Sequence, residues 1–289
     1  MKNLQLSDFP KSSLADWIKV AEKQLKKEDP IKELTWNTGG IEEVKPFYHS
    51  SDLEALSDQL TFFENLPPHR WKLYEEISVG EGTVSNQHAL DALMGGCDGI
   101  IFSGADDYDP EVLMKGIDPS ICDISILGTP NFSISNSMNM GNTVIESGPS
   151  ESPVTQIASI LGQLSNKQYI YRKAFNDFFL EVACVRALNY CISNEVEADH
   201  VEIHSQIALH EDPEFQWFVN TTAGLASILG GSHSIGMPTS IGDNRITRNV
   251  GNLIRDESKI ETYSDQCGGS YYVESLTARI IELVKEHRK

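Results

Sequence analysis

The pattern of apolar and polar positions changes character at Arg70. From there on, short apolar runs of strand type alternate with longer segments in which apolar residues recur every three or four positions. This alternation is typical of a parallel sheet whose strands are connected by helices. Seven runs have the character of strands, and they begin at Trp71, Gly99, Ile121, Thr143, Tyr169, Val201 and Ser232.

The helical segments between these runs have recognisable ends. Residues 84–94 have helical spacing and stop at Gly95, and Ser152 followed by Pro153 is an N-cap with a first-turn proline. Residues 175–191, 215–229 and 273–284 predict three more long helices. Together these elements predict an α/β protein with a TIM-type (β/α) barrel, for which eight strands would be complete.

The alternation of strands and helices breaks after the third strand. Residues 128–143 are polar and small, have no helical period and are hardly long enough for one crossover connection. We therefore expect a barrel that is incomplete or distorted there, with residues 130–141 bridging the sheet without a full strand-helix unit. The number of strands between Gly128 and Thr143 stays open.

The first 68 residues differ from the rest. Ser13 followed by Asp16 is a capping-box pattern, and Trp17 lies on the apolar face of the helix that it predicts. Residues 35–66 contain turn signals but no sustained period, so we expect an extended segment.

The chain therefore divides into an N-terminal arm, residues 1–68, and a barrel domain, residues 69–289. An arm with apolar side chains needs a surface to lie on. That surface is either another protein or the arm's own barrel, and the sequence leaves both open.

Charge and composition restrict the class of function. The 289 residues include 42 acidic and 23 basic side chains, a net charge of −19, which disfavours binding to nucleic acid or to an anionic membrane. No apolar run approaches the ~18 residues of a membrane span, and the first ten residues have no signal-peptide character. We expect a cytoplasmic protein.

The cysteines have no pattern of a metal site or a disulfide framework. They are odd in number and contain no C-x-x-C pair, so we expect buried thiols and no bound metal. They are Cys97, Cys122, Cys184, Cys191 and Cys267.

Two histidines on a predicted strand are candidates for chemistry. His200 and His204 are four residues apart, but a strand does not bring them to one face as a metal-binding helix would. His204 and Gln206 share a strand face near the carboxyl end, where barrel enzymes place ligand-contacting residues. They predict either a ligand pocket or a hydrogen-bonded structural pair.

A basic cluster in an acidic protein is the second candidate. Arg245, Arg248 and Arg255 lie close together with Asn244 and Asn249 beside them. They either pair with the many carboxylates of the chain or hold a phosphate-bearing ligand. No Ser-His-Asp arrangement or nucleophile elbow can be assembled, so the residues alone predict only an acidic barrel-like α/β protein.

Residues 175–283 resemble the C-terminal half of the substrate barrel of methylmalonyl-CoA mutases. The resemblance lies in specific runs, which are FFLEVA at 178–183, RA at 186–187, HSQ at 204–206, LGGS at 229–232, RI and RN at 245–249, and GGSYYVESLT at 268–277. The N-terminal region, with Phe9-Pro10 and Trp17, resembles the arm of the small, non-catalytic subunit of the heterodimeric enzymes.

The resemblance implies a dismantled catalytic site. The family isomerises methylmalonyl-CoA to succinyl-CoA with adenosylcobalamin as the radical source, and a Tyr-His pair lies over the substrate. That pair falls at Ser147 and Gly148, neither of which can replace it. His233 stands where the family has glutamine, whereas His204 and Gln206 match the family pattern. The family's catalytic chain also continues into a cobalamin-binding domain with a D-x-H-x-x-G motif, which we expect this chain to lack.

The resemblance therefore implies a non-catalytic small subunit in a heterodimer with a large catalytic mutase chain. We expect no catalytic residues and no cofactor on this chain, with adenosylcobalamin on the partner. The sequence leaves open whether the isolated chain associates with itself. A remnant ligand pocket would involve His204, Gln206, His233, Arg245 and Arg248. The alternative is a stand-alone acyl-CoA-binding or regulatory protein of mutase ancestry.

Overall fold

The computed structural model describes residues 13–68, 70–104, 109–127, 144–146, 152–164, 168–195, 201–239 and 244–289. Nine strands are present in these residues. They are β1 (Trp36–Thr38), β2 (Ile41–Val44), β3 (Lys72–Ser78), β4 (Gly99–Ser103), β5 (Asp123–Leu127), β6 (Val144–Glu146), β7 (Gln168–Lys173), β8 (Val201–Gln206) and β9 (Ser234–Gly236).

Strands β3 to β9 form one parallel sheet in the order β5-β4-β3-β9-β8-β7-β6. The first of these strands pairs with the last, in a register that places Lys72 opposite Ser234 and Tyr74 opposite Gly236. Each remaining neighbour in the sheet is also a neighbour in the chain, which is the order of a (β/α) barrel. Within the described residues the sheet is open between β5 and β6. It is therefore consistent with an incomplete TIM-like barrel.

The seven predicted strands are confirmed, with ends that differ from the predictions by at most two residues. The largest differences are at β5, which begins at Asp123 rather than Ile121, and at β9, which begins at Ser234 rather than Ser232. The sheet opens where the sequence predicts the barrel to be incomplete. Residues 130–141, for which we predicted a bridge without a full unit, lie outside the described part of the chain.

Ten helices are present in the described residues, three in the N-terminal segment and seven after the first barrel strand. They are α1 (Leu14–Leu25), α2 (Pro30–Leu34), α3 (Ser57–Glu64), α4 (Gly82–Met94), α5 (Pro110–Leu113), α6 (Pro153–Gln163), α7 (Phe178–Glu195), α8 (Gln216–Gly230), α9 (Asn244–Ser258) and α10 (Tyr271–His287). The predicted cap of α6 is present, since the Ser152 hydroxyl accepts a hydrogen bond from the Thr155 amide at 3.3 Å. Helix α9 was not predicted, although Val250 and Ile254 pack against the core at helical spacing.

Two apolar clusters lie between the sheet and the helices. One contains outward side chains of β3, β4 and β5, including Leu73, Ile100 and Phe102. The other contains buried side chains of α6, α7 and α10 together with Ile170 and Ile203 of the sheet. Because these strand residues point outward, the alternate residues of the same strands face the barrel interior.

The N-terminal segment differs from the predicted extended arm. Residues 36–64 contain the antiparallel β1–β2 hairpin, a 3₁₀ turn at Ser50–Leu53 and helix α3. Ile41 and Val44 are buried in the same cluster as α10, and the Gln59 side chain donates a hydrogen bond to Glu274 Oε2 at 2.8 Å. Residues 36–64 thus fold back on their own barrel. The division into domains at residue 68 stays a prediction.

Two further expectations concern membrane-spanning helices and the burial of the cysteines. No helix among the described residues is long and apolar enough to cross a membrane. Cys97, Cys184 and Cys191 are buried as predicted, whereas Cys122 and Cys267 are only partly buried. Burial raises the pKa of the Cys97 and Cys184 thiols to about 12, so both are protonated at neutral pH.

Candidate functional site

The interior face of the sheet is lined by polar and aromatic side chains. Tyr74, Ile101, Tyr169 and Tyr171 form a cluster of their own, separate from the two outer clusters. Side chains alternate along each strand, so the inward residues share every second position with this cluster. On β3, β7 and β8 they are Lys72, Tyr74 and Glu76, then Tyr169, Tyr171 and Lys173, then Glu202, His204 and Gln206.

His204 lies at the centre of this interior. Its ring stacks against Tyr74, Tyr169 and Tyr171 with ring centroids 5.7, 6.1 and 5.3 Å away. Its Nδ1 lies 3.0 Å from the Ser234 hydroxyl, and its Nε2 lies 3.2 Å from Gln206 Oε1. Because the amide oxygen can only accept, Nε2 carries the proton and Nδ1 accepts from Ser234.

Burial determines the protonation of His204. The ring has 0% of its surface exposed, and this desolvation lowers its pKa to about 3. The imidazole is therefore neutral at physiological pH and has no contact with solvent. A group in this state can orient its neighbours but cannot exchange a proton with a ligand outside the barrel.

Gln206 and Gly236 fit together closely at the next level of the barrel. They are paired across β8 and β9, and a Cβ atom at position 236 would overlap Gln206 Oε1. Glycine at this position therefore makes room for the glutamine side chain. Since Gln206 is buried, its amide belongs to the network of His204.

Charged side chains lie at both ends of the interior face of the sheet. At the amino end, Asp123 accepts from Lys72 Nζ at 2.5 Å and from the Tyr74 hydroxyl at 2.6 Å. At the carboxyl end, the Tyr171 hydroxyl donates to Glu76 Oε2 at 2.6 Å and accepts from Lys173 Nζ at 3.0 Å. These residues were not among the candidates predicted from the sequence. Their signal was a polar residue at every second position of the β3 and β7 strands.

The arginine cluster lies outside the barrel interior, on α9. Arg248 Nη1 donates to Glu75 Oε2 at 2.8 Å, and Asn244 donates to the other oxygen of that carboxylate at 2.7 Å. Arg255 Nη1 donates to Asp98 Oδ2 at 2.8 Å. Of the two alternatives, carboxylate pairing is the arrangement present for Arg248 and Arg255. Arg245 is on the same helix with its side chain exposed.

The structure does not bring the predicted pocket residues together. His204 and Gln206 face the interior, whereas Arg248 binds Glu75 on the outer face of β3. His233 precedes β9 at the amino end of the sheet, and its Nδ1 accepts from the Ile203 amide at 3.2 Å. Ser147, Gly148 and His200 lie outside the described residues. A ligand role for any of these residues stays a prediction.

Buried ion pairs account for several of the recognisable runs. Glu181, in the FFLEVA run, binds the guanidinium of Arg172 through both oxygens at 2.6 and 2.8 Å. Arg186 of the same helix binds Asp265 at 2.6 Å and Glu274, in the GGSYYVESLT run, at 2.7 Å. At most 9% of each of these side chains is exposed. These runs therefore specify the scaffold of the barrel's second half.

The same half of the chain is the part that known proteins share. Residues 162–289 match the model of the methylmalonyl-CoA mutase family. This range contains strands β7 to β9 and helices α7 to α10, including both ion-pair systems. The matching segment therefore includes His204, Gln206 and the buried arginines.

Individual mutases are similar to the chain over a comparable length. It is 32% identical over 127 residues to methylmalonyl-CoA mutase of Escherichia coli, which is 37% of this chain and 18% of that protein. It is 30% identical over 129 residues to the methylmalonyl-CoA mutase small subunit of Propionibacterium freudenreichii, 38% of this chain and 20% of that protein. It is also 30% identical over 139 residues to the 2-hydroxyisobutanoyl-CoA mutase large subunit of Aquincola tertiaricarbonis. That match covers 39% of this chain and 25% of that protein. The matches span a quarter or less of these mutases.

Proposed function

We propose that the chain is a non-catalytic small subunit of an adenosylcobalamin-dependent methylmalonyl-CoA mutase. The large partner chain would bind the cofactor and carry out the isomerisation to succinyl-CoA. Support comes from the similarity to the mutase family, which includes a protein named as a small subunit.

The observation that carries the non-catalytic role is the filled barrel interior. Tyr74, Tyr169 and Tyr171 each stack against the ring of His204, and all four side chains are at most 4% exposed. An acyl-CoA or the adenosyl group of the cofactor would have to displace these rings to reach His204. The described residues therefore do not fit adenosylcobalamin or its substrate, and we assign no catalytic step to them.

The alternative of a stand-alone acyl-CoA-binding protein has weaker support. A CoA site would need cations for the phosphates of the ligand. Arg248 and Arg255, two of the candidates, are held by Glu75 and Asp98 on the outer face of the barrel.

Association with the large chain tests the proposal directly. We expect the tagged chain, expressed in its native host, to co-purify in a one-to-one complex with a mutase chain that contains a cobalamin-binding domain. Size-exclusion chromatography and mass spectrometry would identify the partner and the ratio. Isolation of the chain alone under conditions in which the host makes active mutase would contradict the proposal.

A further inference from the structure

An exposed aromatic surface lies at the carboxyl end of β8, at the start of α8. Phe218 is 69% exposed, Leu209 62%, Phe215 54% and Trp217 49%. All four fall within ten consecutive residues, and the rings of Phe215 and Phe218 are 6.1 Å apart. Large aromatic side chains gathered on a surface in this way mark protein interaction sites. We call these four residues the α8 surface.

Hydrogen bonds hold the α8 surface in place. Gln216 is buried and its side chain accepts from the His210 amide at 2.6 Å and donates to the Ala208 carbonyl at 3.2 Å. The Asp212 carboxylate caps a 3₁₀ turn at Pro213–Phe215 by accepting from the Glu214 amide at 3.0 Å. The aromatic groups are therefore presented on a fixed backbone, which reduces the entropy lost when a partner binds.

The charges beside the α8 surface indicate the kind of partner. Glu211, Asp212 and Glu214 are all exposed between Leu209 and Phe215. A second copy of this chain would bring the same carboxylates to the interface. Both copies would also carry a net charge of −19, so they would repel each other. The complementary surface is an apolar patch with Lys or Arg at its edge, on a different protein.

We propose that the α8 surface is the docking site for the large catalytic chain. This inference rests on the proposed function and gives it a location. Within residues 36–64, Ile41, Val44 and Phe63 are buried, and among the large apolar side chains of this range only Trp36 is exposed, at 42%. The α8 surface, by contrast, leaves its largest side chains uncovered.

The experiment compares two charged substitutions in the complex of the full chain with the large chain. Phe218→Glu places a charge in the α8 surface, and Met94→Glu is the matched control. Met94 is 80% exposed at the end of α4, which leads to the opposite end of the sheet. Both positions are exposed, so we expect both variants to fold, which thermal melting of each variant checks.

We expect Phe218→Glu to weaken binding to the large chain about tenfold or more, and Met94→Glu to change it less than about twofold. Wild-type binding should also weaken as salt is raised, and Glu214→Lys should weaken it further. Biolayer interferometry with the immobilised large chain measures all of these.

Three results would overturn the inference. If Phe218→Glu and Trp217→Ala both bind like the wild type, the α8 surface is not the docking site while the proposed function stands. If the wild-type chain does not bind the large chain, the proposed function fails and the inference fails with it. If sedimentation shows that the wild-type chain dimerises and Phe218→Glu does not, the occupant is a second copy.

Discussion

His204 is a histidine whose surroundings keep it neutral. Three tyrosine rings exclude water from it, and its two nitrogens are satisfied by Ser234 and Gln206. Its pKa of about 3 in the folded protein lies below the value of 6.5 expected in an unfolded chain. Acid therefore favours the unfolded state, which binds a proton that the folded state excludes.

Stability should consequently fall as the pH is lowered below 6.5. Between pH 7 and pH 5, His204 should reduce the free energy of unfolding by about 2 kcal/mol, and His204→Gln should remove this part of the dependence. Urea denaturation at the two pH values measures it. His88→Gln, at an exposed position of α4, is the control and should leave the wild-type dependence unchanged. Equal dependence in wild type and His204→Gln would contradict the buried neutral state.

At the scale of elements, the N-terminal segment is a structural part of the barrel. Phe63 of α3 is buried, and the Arg186 guanidinium lies 3.8 Å from the centre of its ring. The β1–β2 hairpin contributes Ile41 and Val44 to the cluster under α10. Removing these elements would expose both α10 and the ion pairs of Arg186 to water.

Deletion of residues 1–66 should therefore destabilise the barrel. We expect a loss of at least about 3 kcal/mol, since removal of one buried phenylalanine alone usually costs that much. Deletion of residues 1–26 is the control. It removes α1, whose described aromatic contact is the stacking of Trp17 on Phe47, and should cost less. Thermal and chemical denaturation compare the two truncated chains. A 1–66 deletion that melts like the full chain would show that the segment is a separable arm.

Some strands of the structure could be predicted from the sequence and others could not, and the reason is physical. Buried parallel strands such as β4 read as continuous apolar runs bounded by turn signals, so their positions were predictable. The hairpin was not, because β1 and β2 are only three and four residues long, and the buried Ile41 and Val44 of β2 are three positions apart, which is not the alternation of a strand. Of the candidate site, His204 and Gln206 were predictable from strand alternation. Their tyrosine neighbours come from β3 and β7, and only the pairing of these strands with β8 and β9 in one sheet brings them together.

The whole molecule combines a barrel-like scaffold, part of which is similar to the mutase family, with an interior face that carries stacked aromatic rings. The ion pairs of Arg172 and Arg186 connect strands and helices of the half that matches the family. Stacked aromatic rings occupy the positions that face the interior. Beside them, the Tyr171 hydroxyl is hydrogen-bonded to Glu76 and Lys173.

The isolated chain should therefore neither bind adenosylcobalamin nor isomerise methylmalonyl-CoA. Equilibrium dialysis with the cofactor and a coupled assay for succinyl-CoA measure the two properties. Escherichia coli methylmalonyl-CoA mutase, assayed in parallel, is the positive control. Tight cofactor binding or turnover by the chain without another protein would contradict both the filled interior and the non-catalytic role.

The pairing of the first barrel strand with the last constrains how the chain folds during synthesis. Strand β3 pairs with β4, which follows it closely in the chain, but its other neighbour is β9, which comes last among the strands of the sheet. Until residues 234–236 emerge, the β3 backbone presents an unpaired edge, which invites pairing with other nascent chains. Contacts between residues so distant in sequence also form slowly. Chaperones that shield exposed strand edges should therefore matter most for this protein while its second half is still being translated.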